Sequence, residues 1–154
     1  MPLSSMVLSD LKHESAAALE RLYAHANPFD VPEGCYRGTY LAPVDSRGAR
    51  RLTNRLMVLG GFRLPRFGVD FDRRAWWFGH PRLQVGAFVP RAGPSRWRDT
   101  RTVGLHYDPS FLPGLVKQLL YDEVKPLSPH LCLGIGGISR PAGEGELFFF
   151  ALTR

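Results

Sequence analysis

A chain of 154 residues with 44% hydrophobic content fits one domain (1–154) with a real core, and its sixteen Gly and thirteen Pro leave little room for long helices. The net charge of +6 is unevenly placed: residues 47–101 carry thirteen Arg against Asp70, Asp72 and Asp99. Such a belt favours anionic partners, nucleic acid among them, or else forms an arginine-rich solvated surface. No apolar run reaches membrane-spanning length and the N-terminus has no sustained apolar core of a signal peptide, so a soluble, cytoplasmic protein without a membrane partner is expected.

In chain order, Ser9 followed by Asp10–Ala26 predicts the longest helix, within an N-terminal segment of residues 1–30. Ser9 is placed as its cap, Asp10 suits its positive end, and Leu11, Leu19, Leu22 and Tyr23 recur at helical spacing. Asn27-Pro28 stops it. Its narrow apolar stripe suits a helix laid across a sheet, or one that plugs the end of a barrel. Cys35–Ala42 then reads as a strand with Tyr36, Gly38, Tyr40 and Ala42 on one face. Ala49–Leu59 suits a short helix ended by Gly60-Gly61. Residues 60–74 show no clear element, and Phe62, Leu64, Phe67, Val69 and Phe71 are expected to fold over a barrel mouth.

Ala75–Gly79 and Leu83–Val89 predict strands joined through His80-Pro81-Arg82, with Ala92–Pro94 as a loop. Thr100–Tyr107 is a strand with Val103, Leu105 and Tyr107 opposite Thr102, Gly104 and His106. Pro113–Leu120 is a short helix with Pro in its first turn. Glu123–Leu127, Leu131–Ile138 and Glu146–Thr153 close the chain as strands joined by Gly, Pro and Ser. The last strand is apolar on both faces, which requires cover on both sides. These elements predict a mainly β (α+β) fold: an antiparallel β-barrel of about seven to nine strands over residues 34–153, with an N-terminal helix and one or two short ones.

Most familiar chemistry is missing. There is no P-loop, GxGxxG helix start, GxSxG elbow or HExxH. Gly134-Ile135-Gly136-Gly137 lies between strand segments and lacks a following Lys, so it reads as a barrel bend. Cys35 and Cys132 stand in neither a CxxC nor a CxxH spacing, which leaves two small buried hydrophobes and no metal site. No cofactor is implied and no catalytic residue is assigned.

Gly34-Cys35-Tyr36-Arg37-Gly38, followed by Trp77-Phe78-Gly79-His80, resembles the G-x-W-x-G and W-x-G-K signatures of small bacterial calycin-like barrels, which are related in shape to lipocalins and fatty-acid-binding proteins. Tyr36 stands at the Trp position and His80 at the Lys position. The downstream order is similar too: Tyr107-Asp108, a short helix, Asp122-Glu123, Leu-x-Leu-Gly and a terminal aromatic strand. The resemblance implies an apolar or cofactor-sized ligand in the lumen.

The candidate ligand-binding set is therefore Tyr36, Tyr40, Trp76, Trp77, His80, His106, Tyr107, Asp122 and Glu123. Asp122 and Glu123 point to opposite faces of a strand, and whichever lies inside an apolar barrel acquires a raised pKa or an Arg partner. Trp76 and Trp77 also diverge, one to the lumen and the other to the surface or an interface, such as a homodimer contact. His106 is either a hydrogen-bonded structural histidine, an acid–base group or a haem ligand. Non-enzymatic binding of one small apolar or amphipathic molecule, its polar end met by an Arg or His, is the first expectation. A lumen enzyme using His106 with Asp122 or Glu123, and Tyr107 as donor, is the second. The third is nucleic-acid binding through Arg47–Arg101, with Phe62, Phe67, Trp76, Trp77 and Trp97 as stacking platforms.

Overall fold

Consecutive residues of Glu146–Thr153 enter two different cores, as its doubly apolar character requires. Phe150 and Leu152 join Tyr36, Val69, Leu105 and Val124 in one; Phe149 and Ala151 join Leu19, Tyr23, Leu133 and Ile135 in the other. The first core fills part of a barrel and the second lies between the barrel and the N-terminal helices. The computed structural model describes residues 6–26, 30–44, 66–141 and 143–154.

Among the described residues nine strands form one antiparallel sheet: β1 (Cys35–Pro43), β2 (Phe67–Asp70), β3 (Ala75–Phe78), β4 (Gln84–Ala87), β5 (Val89–Pro94), β6 (Arg101–His106), β7 (Leu120–Ser128), β8 (Leu131–Ile138) and β9 (Glu146–Thr153). Their order is β4-β3-β2-β1-β9-β8-β7-β6-β5. The two edges are consecutive pieces of chain separated only by Phe88, so the sheet curls into a nearly closed barrel around one broken strand. Just before the break, Gly86 is the extra residue of a bulge in β4 against β3, with φ +77°, a conformation L side chains rarely adopt. On β8, Gly134 and Gly136 have no side chains, and the rings of Phe150 and Phe148 occupy the space; a Cβ there would lie 2.3 and 2.5 Å from them.

The N-terminal segment departs from a single helix. Two helices form, α1 (Leu8–Lys12) and α2 (Ala16–His25), because Ser15 is extended and its Oγ accepts the Ala18 N–H at 3.2 Å. The effective cap is thus Ser15, and Asp10 instead accepts the Val7 N–H. Both helices lie across the outside of the barrel through Leu11, Leu19 and Tyr23.

Two further expectations are corrected. Phe67–Asp70 is a wall strand, pairing with both β1 and β3, and Ala92–Pro94 belongs to β5 along β6. Phe67 and Val69 alternate with Gly68, whose missing side chain makes room for the Trp77 ring, so the period-two signal there is carried by a glycine. The Ala49–Leu59 helix, Phe62 and Leu64 fall outside the described residues. The short helix α3 (Gly114–Leu119) stands just before β7. Both cysteines are free, Cys132 buried and Cys35 exposed, against the expectation of burial for both. No helix among the described residues is long and apolar enough to cross a membrane.

Candidate functional site

The barrel interior is filled at one end and open at the other. Tyr36, Phe71 and Phe88 pack edge to face as part of the filled end, with Tyr36 Oη donating to the Pro129 carbonyl at 3.1 Å. Toward the end where β1 finishes and β9 begins, a cavity of about 410 Å³ remains. Its walls are almost wholly apolar, with Phe67, Trp76, Phe78, Leu112 and Phe148 prominent. That volume lies within the usual range for small-molecule sites.

The cup has three polar groups of consequence: Asp122, Tyr107 and Tyr40. Trp76 Nε1 donates to Tyr107 Oη at 2.5 Å, and Tyr107 Oη donates to Asp122 Oδ2. This relay joins β3, the residue just after β6, and β7 across the lumen and points its donors at one carboxyl. Burial pushes the Asp122 carboxyl up to about 7, although the Tyr107 hydroxyl and the Gly137 N–H favour its ionised form. Burial, followed by the neighbouring Asp122 charge, holds the Tyr107 phenol well above its usual value, so it stays a proton-bearing donor. Tyr40 Oη is different: it is buried with no hydrogen-bond partner among the described residues, and burial pushes its phenol up to about 12.

The predicted set divides by strand parity. Tyr36, Tyr40, Trp76, Tyr107 and Asp122 face the lumen, Tyr36 at its filled end and the other four along the cup. Trp77 is buried against Gly68 on the outer side of the wall, and His80 sits in the exposed β3–β4 turn, accepting the Arg82 N–H. His106 is also outside, its ring 5.6 Å from that of Tyr121. Burial, then Arg91 and Arg96, lowers its pKa. Glu123 is fully buried outside, accepting from Tyr23 Oη, Ser95 Oγ and the Arg96 N–H. Of the two pairings expected for His106 inside the lumen, the one with Asp122 is not assembled, since their faces of the wall differ; Glu123 shares the outer side with His106, away from the cup. Nor does an Arg or His line the cup among the described residues.

No family profile matches the chain, and no curated protein matches it. Among solved structures, a crystal structure of a protein from Thermomonospora curvata is similar, at 19% identity over 96% of this chain and 92% of that one, with a TM-score of 0.55. At that identity the likeness speaks for a shared barrel fold.

The four described residues of the expected nucleic-acid stacking platforms are not presented outward. Phe67 and Trp76 line the cup, while Trp77 and Trp97 are 4% and 3% exposed. Phe62 lies outside the described residues. Arg98 is committed to Glu20 and Glu146, and Arg96 lies over the Tyr121 ring. Sequence reading did not single out Phe67, Phe78, Val85, Leu112 or Leu120 as lining. Among the described residues no cluster of His, Cys, Asp or Glu could hold a metal ion.

Proposed function

We propose that this protein is a calycin-like, non-enzymatic carrier that holds one small apolar or amphipathic molecule in the cup. The observation that carries the reading is an open apolar cavity of about 410 Å³ that retains a buried, unpartnered hydroxyl at Tyr40. A barrel built only as a scaffold would gain by filling that space with side chains and replacing that hydroxyl by a hydrogen, since an unsatisfied buried polar group costs about 1–3 kcal/mol. The acid–base alternative is left with Asp122 and Tyr107, without a histidine on the same side of the wall.

The test is titration with the apolar fluorophore N-phenylnaphthylamine. Saturable binding near one molecule per chain, with quenching of Trp76, is the expected result. Replacing Trp76 with Phe should remove most of the quenching, because Trp77 and Trp97 are buried elsewhere. A fluorophore that never saturates the protein would overturn the reading.

A further inference from the structure

We infer that the occupant of the cup presents a hydrogen-bond donor, a hydroxyl or an amine, to Asp122, and that anionic amphiphiles such as fatty acids are excluded. The inference rests on the carrier reading of the same cavity and concerns the chemistry of the ligand's polar end.

Hydrogen-bond accounting at the cup carries it. Tyr107 Oη is already used in both directions, receiving from Trp76 Nε1 and donating to Asp122. The indole N–H of Trp76 is spent on that bond. Asp122 is the charged residue of the described lining; it accepts from the Tyr107 hydroxyl and the Gly137 N–H, and its remaining lone pairs meet no further side-chain donor among the described residues. An ionised carboxylate only accepts, so it needs a donor from the ligand. Tyr40 Oη is the second open position and offers a hydroxyl that can donate to an ether, carbonyl or hydroxyl oxygen. The Arg or His that would receive an anionic head is missing from the described lining.

An acceptor-only anion would face like charge at Asp122 and find one free donor among the described residues, at Tyr40. The titratable groups facing Asp122 across the lumen are Tyr107, just after β6, and Tyr40 of β1, both held neutral by burial. Glu123, behind it on β7, adds negative charge through the wall.

Three probes with one tail and different heads decide the matter: decanol, decylamine and decyl sulfate, each competing with N-phenylnaphthylamine on the full chain. At pH 8 the better of decanol and decylamine should displace the fluorophore at least tenfold more effectively than decyl sulfate. Decyl sulfate, which stays ionised, should gain at least fivefold on going to pH 6, where Asp122 takes up a proton and becomes a donor, while decanol stays flat. Asp122→Asn, which supplies a donor as well as an acceptor, should narrow the gap between decanol and decyl sulfate at least fivefold. Decyl sulfate equal to or tighter than both others at pH 8 would overturn the inference and leave the carrier reading standing. An unchanged gap in a folded Asp122→Asn protein would do the same, and the pH response of the natural protein decides should that variant not fold. Failure of all three probes and of the fluorophore would remove the carrier reading and this inference together.

Discussion

Asp122 and Glu123 are consecutive residues of β7 whose carboxyls lie on opposite sides of the barrel wall. Asp122 accepts from Tyr107 inside the cup, and Glu123 accepts from Tyr23 Oη at 2.9 Å beneath the N-terminal helix. Strand alternation alone separates a candidate binding group from a structural latch.

Asp122 makes stability depend on pH in an unusual direction for a carboxylate. Its folded pKa, about 7, exceeds the ordinary 3.8, so between those values the folded state binds the proton and the unfolded state does not. The stabilisation is complete below the unfolded value and is lost as pH rises through the folded one, at up to ~1.4 kcal/mol per unit of difference. Urea unfolding of the natural protein and of Asp122→Asn should show their stability difference changing between pH 4 and pH 7. A difference that stays constant across that interval would contradict the account.

Glu123 latches two elements to β7 at once: α2 through Tyr23, and the loop after β5 through Ser95 Oγ and the Arg96 N–H, both at 2.6 Å. Lys125, two residues on, reaches the Tyr23 and Ala26 carbonyls and Thr100 Oγ1 with its buried ammonium. Glu123→Ala leaves buried donors and the ammonium without their nearby carboxylate. Chemical denaturation should register a loss of about 3 kcal/mol. Glu123→Gln, which keeps acceptor geometry, should cost less than half of that.

Arg98 joins Glu20 of α2 to Glu146 at the start of β9, with 2.6 Å to Glu146 Oε1. Burial alone would raise the Glu146 pKa, but hydrogen bonds from Arg98 and from the Gly143–Glu146 turn outweigh it and hold it below its usual value. A lowered carboxylate contributes stability above its unfolded pKa and loses it as pH falls through the folded one. Arg98→Met should therefore lower stability at pH 7 by about 3 kcal/mol and make the decline from pH 6 to pH 3 shallower. Equal acid sensitivity in both proteins would argue against the coupling.

Legibility followed the length and regularity of the signal. β8 and β9 were readable to the residue because their runs are apolar and bounded by Pro and Gly. β2 was not, since Gly68 interrupts its alternation and its four residues lie between stretches without a periodic pattern. Parity within β6 and β7 correctly split His106 from Tyr107 and Asp122 from Glu123, yet parity alone does not say which face is inside. The relay from Trp76 through Tyr107 to Asp122 joins residues well separated in sequence and left no local pattern. The unpartnered Tyr40 hydroxyl is a property of packing, with no sequence signal at all.

His106 provides a control for the cup. Because it lies outside, beside Tyr121, His106→Gln should leave fluorophore affinity within about threefold, far from the 10²–10⁴ that loss of an acid–base group costs a rate. A larger loss of affinity, in a protein whose thermal midpoint is unchanged, would place the imidazole in contact with the ligand after all.

Tyr40 should show opposite effects on stability and binding. Its hydroxyl is buried without a partner, so Tyr40→Phe removes an unsatisfied polar group while keeping the ring against Phe148, 5.8 Å away between centroids. The ligand-free protein should gain about 1 kcal/mol in urea unfolding, from the low end of the cost of leaving such a group unpaired. A ligand that accepts from the hydroxyl should lose about fivefold to tenfold in affinity, the equivalent of one ordinary hydrogen bond. Decanol is the probe of choice, since its single oxygen can accept from Tyr40 or donate to Asp122. If Tyr40→Phe destabilises the free protein, the hydroxyl has a partner in solution and the accounting at this end of the cup fails. If the variant is more stable and binds decanol unchanged, the hydroxyl is an unmet cost of the fold and Asp122 alone reads the ligand's head.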